Sequence, residues 1–353
     1  MRSGLRGIFV PLSSLYGAAI SLRNFCYDKH LLEIKKLPFP VISVGNISVG
    51  GSGKTPFVMF LLEKFLSRGK KPAVLSRGYK RTADNLVISC PERGAEADVQ
   101  TLGDEPSLIS ETFPSVPVGV LRDRYKAGLA IIERFGADVF ILDDGFQNRE
   151  LHRDIDFVLL NNSLSDLNDN YLPAGNLRDS RSRLRQADVI VLTSHGDWSV
   201  PAEKFIKSYS DKRMIGISYM PYDFVDRAGQ THSLGEIAGM SVAAFSGIAK
   251  PERFFSELQT MNIKIQRSSI FPDHHWFDEY DIDQIFGGDE DLIAVTTEKD
   301  SARIFQDVEL AEKEEVRRIY ALREKAVIHF GEEHVDDCLS NVFASRKDNE
   351  VYA

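Results

Sequence analysis

The chain is poor in cysteine. Only Cys26, Cys90 and Cys338 occur in 353 residues, far apart and without a Cys-x-x-Cys pair. That scarcity excludes a disulfide framework and a thiolate zinc site, and it suggests reduced thiols in a cytosolic compartment. An excess of positive charge is missing too. The formal net charge is −9, which argues against nucleic acid as a partner, because affinity for phosphate backbones is supplied by Lys and Arg. There is no internal repeat and no low-complexity tract. Residues 7–22 are sixteen uncharged positions between Arg6 and Arg23. A spanning helix needs about 20 apolar residues, and this run is short and holds Pro11 and three serines.

What is present is ordinary globular material with one organising stretch. Hydrophobic residues make up 43% of the chain, and the length predicts two or three domains. The stretch is Gly45-Asn46-Ile47-Ser48-Val49-Gly50-Gly51-Ser52-Gly53-Lys54-Thr55-Pro56. An apolar run, Pro40 to Val44, precedes it as a strand, and Phe57 to Leu62 opens a helix after it. Strand, glycine-rich turn, Gly-Lys-Thr and helix is the order of a phosphate-binding loop. Glycines let several backbone N–H groups point at one phosphate, and the helix N-terminus adds partial positive charge. Lys54 would reach the β- and γ-phosphates, and Thr55 would place its hydroxyl on Mg²⁺. The usual first glycine is Ser48 here.

A second motif completes the first. Asp138-Val139-Phe140-Ile141-Leu142-Asp143-Asp144 reads as a buried strand ending in the carboxylate that meets Mg²⁺ beside a P-loop. Adjacent strand residues face opposite sides, so Asp143 and Asp144 should have different jobs. Arg77-Gly78-Tyr79-Lys80-Arg81 ends the next strand, Lys71 to Ser76, at the edge where open α/β sheets bind ligands. Arg122, Arg124 and Lys126 form another basic cluster. Arg178 lies on a loop from which it could stabilise a transferring phosphoryl group, or simply start a basic helix. Asp104 opens a helix, where an acidic residue commonly serves as a cap. Farther on, residues 196–240 are polar and irregular apart from Met214 to Met220, and a second α/β unit follows. There Phe271-Pro272-Asp273-His274-His275 ends a strand. Neighbouring histidines seldom chelate one ion, so a histidine held by a carboxylate for acid–base work is the better reading.

The first 36 residues break the acidic trend, with Arg2, Arg6, Arg23, Lys29, Lys35 and Lys36 against Asp28 and Glu33. A signal peptide conflicts with a loop that needs cytosolic nucleotide. Two readings remain: a helix lying in the membrane interface with arginines on anionic headgroups, and a buried core helix.

Assembled in this order, the motifs closely resemble the tetraacyldisaccharide 4′-kinase family, from about Leu5 to the Thr297 region. The resemblance rests on Ser48 to Thr55, Leu75-Ser76-Arg77-Gly78-Tyr79, Gly103-Asp104-Glu105-Pro106, Asp123-Arg124-Tyr125-Lys126, Leu142-Asp143-Asp144-Gly145-Phe146-Gln147, Leu172-Pro173-Ala174-Gly175 and Phe271-Pro272-Asp273-His274. It implies a cytosol-facing inner-membrane enzyme that moves the γ-phosphate of ATP to the 4′-hydroxyl of a tetraacylated glucosamine disaccharide 1-phosphate, giving lipid IVA. No obligate protein partner is implied.

The fold it implies is α/β: a P-loop lobe with a parallel sheet, a second, smaller α/β lobe and an N-terminal membrane-associated helix. The corresponding segments are residues 1–36 for the helix, 37–205 for the kinase lobe and 206–353 for the second lobe with its linker. By the same resemblance Asp104 and His274 act as a pair that activates the hydroxyl, and Lys54 is a further catalytic residue, on the phosphates. Ser48, Val49, Gly50, Gly51, Ser52, Gly53, Lys54 and Thr55 bind ATP. Thr55, Asp143, Asp144 and Glu105 meet Mg²⁺, and Arg77, Tyr79, Arg124 and Arg178 meet substrate. On the lobe boundaries expected here, Asp104 and His274 can meet only if two lobes close. The family's histidine after Phe-Gln is Asn148, and its Arg-Glu pair after Pro-Ala-Gly is partly replaced by Arg178-Asp179.

Two other classes share a P-loop. A switch GTPase selects guanine with Asn/Thr-Lys-x-Asp, and in Thr297-Glu298-Lys299-Asp300 the lysine stands one place late. A membrane-partitioning ATPase carries a second lysine where Val49 stands.

Overall fold

The computed structural model describes residues 3–50, 53–78, 81–162, 167, 169–194 and 212–350. Gly51, Ser52 and Tyr79, all expected at the site, lie outside them. The chain forms two compact units. The first comprises Met1–Arg77, Ser115–Tyr219 and Ala326–Ala353, the second Gly78–Pro114 and Met220–Lys325.

In the first unit a parallel sheet runs, in spatial order, Arg213–Asp226, Val189–Thr193, Ile155–Asn161, Val41–Asn46, Val139–Asp143, Pro72–Ser76 and Val118–Val120. The P-loop strand Val41–Asn46 is central. Its Val44 registers against Asp143 on one side and Phe157 on the other. All six of its residues are buried, which explains why it shows no apolar–polar alternation: a parallel strand covered on both faces has no solvent side, and its polar residues Ser43 and Asn46 are buried with the rest. Strand order reverses around it, so the crevice beyond the strands' carboxyl ends opens there. Helix Lys54–Ser67 follows, burying Phe57, Val58, Leu61, Leu62 and Phe65 at helical spacing.

The strands of the second unit, Lys264–Ile270, Ser241–Ser246, Ile293–Thr297 and the start of Ile319–Phe330, are likewise paired in parallel. Phe245, Phe286, Ile304 and Ile319 share the unit's core. Asp223 to Val225 pair antiparallel with Thr231–Ser233.

These units do not follow the segments 37–205 and 206–353. Residues 78–114 are an excursion between two strands of the first sheet, and they belong to the second unit. The change of unit near Tyr219 and near Lys325 falls inside continuous strands, Arg213–Asp226 and Ile319–Phe330. The change at Tyr219 falls within the polar region 196–240; that region gives no sign of the 78–114 excursion or of the return at Ala326. The run Met214 to Met220 is part of a strand of 14 residues.

The N-terminal helix spans Ser3–Asp28. Its inner side is polar or small: Ser13, Gly17, Asn24 and Tyr27 are buried. Ser13 Oγ accepts from the Ala174 N–H at 2.9 Å, and Asn24 donates to Asp179 Oδ1 at 2.9 Å. Arg149 bridges the Asn24 carbonyl and Asp28 at 3.0 and 2.7 Å. The outer side is apolar, with Leu15 67% and Leu22 64% exposed beside Val10, Leu12 and Phe25. A core helix would have the opposite arrangement. No described helix is long and apolar enough to cross a membrane.

Candidate active site

In the first unit the site is assembled at the carboxyl end of the central strand. Gly53 has φ 77°, in the left-handed region, and a Cβ there would stand 2.0 Å from the Tyr219 ring. Only glycine fits. The Tyr219 hydroxyl donates to the Gly53 carbonyl at 2.6 Å, fixing the last turn of the loop before Lys54. Thr55, the next residue, is buried.

Asp143 and Asp144 do diverge. Asp143 ends its strand 1% exposed and accepts from Ser76 Oγ at 3.3 Å. Asp144 leaves the strand with φ 51°, which turns its carboxylate to Lys54 Nζ at 3.5 Å and to Arg178. Arg178 grips it with both nitrogens: Nη1 donates to Oδ2 at 2.7 Å and Nη2 to Oδ1. Nη2 also reaches Asn46 Oδ1 at the end of the P-loop strand. Burial opposes ionisation of Asp144, but the hydrogen bond from Arg178 and the charges of Lys54 and Arg178 outweigh it and hold the carboxyl well below its ordinary range. Asp144 raises the pKa of Arg178 in return, against the effect of burial.

Arg124 lies in the first turn of helix Arg124–Phe135, whose N-cap is Asp123. It is buried, and burial, with the like charge of Arg77, lowers its pKa while Asp144 and Asp143 oppose the shift. The Nε groups of Arg124 and Arg178 are buried without a hydrogen-bond partner among the described residues. Unsatisfied cationic donors beside a P-loop suit phosphate oxygens. Thr55, Asp143 and Asp144 are hard oxygen donors. Among the described residues no three His, Cys, Asp or Glu side chains cluster as a protein-only metal cage. A set of one hydroxyl and two carboxylates fits Mg²⁺, which keeps water and phosphate oxygens in its shell.

In the second unit Asp104 opens helix Asp104–Thr112, but Gly103 is the N-cap and makes no side-chain cap bond. The Asp104 side chain goes elsewhere. Its Oδ2 meets His274 Nδ1 at 2.6 Å and receives Arg303 Nη2 at 2.5 Å. Burial again opposes ionisation, and the hydrogen bonds from His274 and Arg303, with the Arg303 charge, hold Asp104 well below the usual carboxylate range. His274 takes the left-handed conformation, φ 65°, and its N–H donates to the Gly247 carbonyl at 3.1 Å. This pair forms within the second unit alone, so no movement of one unit against another is needed to make it. The expected closure of two lobes is not required, because residues 78–114 belong to the same unit as 220–325. Glu105 is paired with Lys299 at 2.8 Å. His275, the other half of the histidine doublet, is held by Asp281 at 2.7 Å.

Sequence reasoning missed Arg303, Asp300, Tyr219 and Asn46 as supporting groups. Asn46 lies inside the P-loop motif and was legible there. Arg303 was signalled only by the near-miss at Thr297-Glu298-Lys299-Asp300, which starts its helix. Asn148 makes a local contact, accepting from the Leu151 N–H at 3.2 Å. Asp179 is buried, bonded to Asn24 and to Arg183 Nη1 at 2.6 Å.

A central parallel strand, a glycine loop closed by Lys54 and Thr55, and a neighbouring strand ending in Asp143 define a P-loop phosphotransferase. The family model for tetraacyldisaccharide-1-P 4′-kinase matches residues 5–344, beyond the Thr297 limit read from motifs. The tetraacyldisaccharide 4′-kinase of Aquifex aeolicus is 39% identical over 306 residues, covering 85% of this chain and 90% of that one. That of Flavobacterium psychrophilum is 36% identical over 359 residues, covering 98% and 99%. A crystal structure described as the "apo" form of LpxK from Aquifex aeolicus in complex with ATP superposes with TM-score 0.81 at 35% identity, covering 96% of this chain and 99% of that one. The chain belongs to the tetraacyldisaccharide 4′-kinase family.

Proposed function

We propose that this kinase transfers the γ-phosphate of ATP to the 4′-hydroxyl of a tetraacylated glucosamine disaccharide 1-phosphate, giving lipid IVA in lipid A biosynthesis. The observation that carries the reading is the presence in one family member of two chemically complementary sets. Lys54, Asp144 and Arg178 converge beside a P-loop, and Asp104 holds His274 at 2.6 Å.

The loop from Ser48 to Thr55 binds the phosphates through its backbone, and Lys54 and Arg178 balance the charge that spreads over the transferring group. Arg124 and Arg77 bind anionic oxygens of nucleotide or lipid phosphate, and Tyr79 contacts substrate. Thr55 with Asp143 and Asp144 would hold Mg²⁺, which neutralises and orients the phosphates when bound. Glu105 is proposed as a further metal-facing carboxylate. A sugar hydroxyl is a weak nucleophile at neutral pH, so its proton must leave as the O–P bond forms. The Asp104–His274 pair accepts that proton.

The chain works on a membrane surface, on the cytosolic face of the inner membrane. The open apolar side of the Ser3–Asp28 helix supports this, because an acylated acceptor stays in the bilayer and the enzyme must come to it. Following labelled γ-phosphate from ATP onto tetraacyldisaccharide 1-phosphate by thin-layer chromatography tests the reading. A labelled product that requires the acceptor is expected. ATP turnover indifferent to the acceptor, with no labelled lipid, would overturn it.

A further inference from the structure

Helix Glu298–Phe305 carries a residue that none of the site motifs contains. The Arg303 side chain is 1% exposed and lies between two carboxylates. Nη1 donates to Asp300 Oδ1 at 3.0 Å, and Nη2 donates to Asp104 Oδ2. Nη2 is also 3.5 Å from His274 Nδ1. Asp300, fully buried, is fixed in turn: its Oδ2 accepts from the Gly247 N–H at 3.0 Å, from Thr297 Oγ1 at 2.8 Å and from Ser246 Oγ at 3.3 Å. Gly247 closes the circuit, since its carbonyl holds the His274 backbone. One buried guanidinium and one buried carboxylate thus brace both members of the pair.

We propose that Arg303 is a positioning residue for phosphoryl transfer, holding Asp104 in line with His274 while Asp300 fixes Arg303 from behind. The proposal rests on the reading of Asp104 and His274 as the hydroxyl-activating pair. Two features set Arg303 apart from an ordinary stabilising ion pair. Its bond lands on Oδ2, the same oxygen that His274 uses, so the two contacts together fix the carboxylate's rotation and leave Oδ1 outside both. Its Nε is buried without a hydrogen-bond partner among the described residues. A buried, incompletely satisfied cation is a poor choice for stability alone, where apolar packing does as well or better. Arginine also suits the geometry: its planar fork addresses two carboxylates at once, whereas a lysine offers a single point of charge.

The test uses the full-length enzyme with ATP and tetraacyldisaccharide 1-phosphate in mixed micelles. Arg303→Met should lower kcat about 30-fold or more while both KM values stay within about 3-fold, the signature of lost transition-state alignment. Arg303→Lys should fall between it and wild type. In an Asp104→Asn background the same Arg303→Met change should cost less than about 3-fold, because the group it positions no longer acts. Millimolar guanidinium should restore part of the rate to Arg303→Ala. If Arg303→Met fails to fold, Arg303→Lys decides: lower kcat at unchanged KM supports the proposal, and wild-type kcat overturns it. A folded Arg303→Met enzyme with wild-type kcat, or an equal loss in the Asp104→Asn background, would also overturn it. Wild-type kcat in Asp104→Asn itself would instead remove the underlying reading of the pair.

Discussion

Lys54 and Asp144 show how one contact can serve two states of a site. Before phosphate is bound, Asp144 is the anion that Lys54 and Arg178 face. With phosphate present, the same cations have a second anion to balance. Lys54→Ala should therefore lower kcat/KM by at least ~10²-fold, about 2.7 kcal/mol, measured with saturating lipid. Near-normal turnover by the purified variant would contradict the role given to Lys54. The Asp104–His274 pair makes a different prediction. Asp104→Ala and His274→Ala should each depress kcat strongly while ATP affinity stays within a few-fold, and the double variant should be little worse than the poorer single one, because groups that act as a unit are not additive. Fully additive losses in steady-state kinetics would show two independent residues. The roles at this scale were unevenly legible. Lys54, Thr55 and Asp143 could be read because their chemistry is tied to fixed spacing along the chain. Asp104 could not be read from spacing alone, since an acid in the first turn of a helix looks like a cap. Its partners, 170 and 199 positions away, are joined to it only by folding.

At the scale of elements, the Ser3–Asp28 helix inverts the pattern of a core helix. Its apolar content alone did not separate interface from core. The deciding information is which side faces Ala174, Asp179 and Arg149, and that depends on residues more than 100 positions distant. Leu15→Asp with Leu22→Asp should leave the hydrogen-bonded side intact. The variant should stay in the bottom fraction when anionic vesicles are floated through a density gradient, keep its melting temperature, and show a raised KM for lipid presented in bilayers. Retained vesicle binding would show that the open side of the helix is not the attachment. The strands were the most legible elements, because buried parallel strands write themselves as apolar runs. Ile319–Phe330 is not legible as a strand because only its first four residues are mostly buried, and Arg323, Glu324 and Lys325 interrupt the run.

For the molecule as a whole, the two-unit division was legible in number and not in membership, because the excursion 78–114 leaves and rejoins one sheet without a change in composition. The second unit also sets a pH dependence of stability. Burial raises the Glu298 pKa from 4.5 to about 8, with Arg323 opposing only in part. Between those values the unfolded chain has released this proton and the folded chain keeps it, so this contribution to stability falls as pH rises from 4.5 toward 8 and is level above. Glu298→Gln removes that slope. The variant's melting temperature should gain on wild type as pH is raised from 5 to 8, and a constant difference across the range would show that Glu298 does not carry it. The helix at the N-terminus has a consequence for handling the protein. Its inner contacts include hydrogen bonds and an ion pair, while the exposed positions from Val10 to Leu15 are apolar apart from Ser14. Attachment through such a face is not screened by electrolyte. Washing membranes with concentrated salt should leave the enzyme in the pellet. A mild non-ionic detergent should extract it with the helix still docked, its micelle replacing the bilayer on one side only.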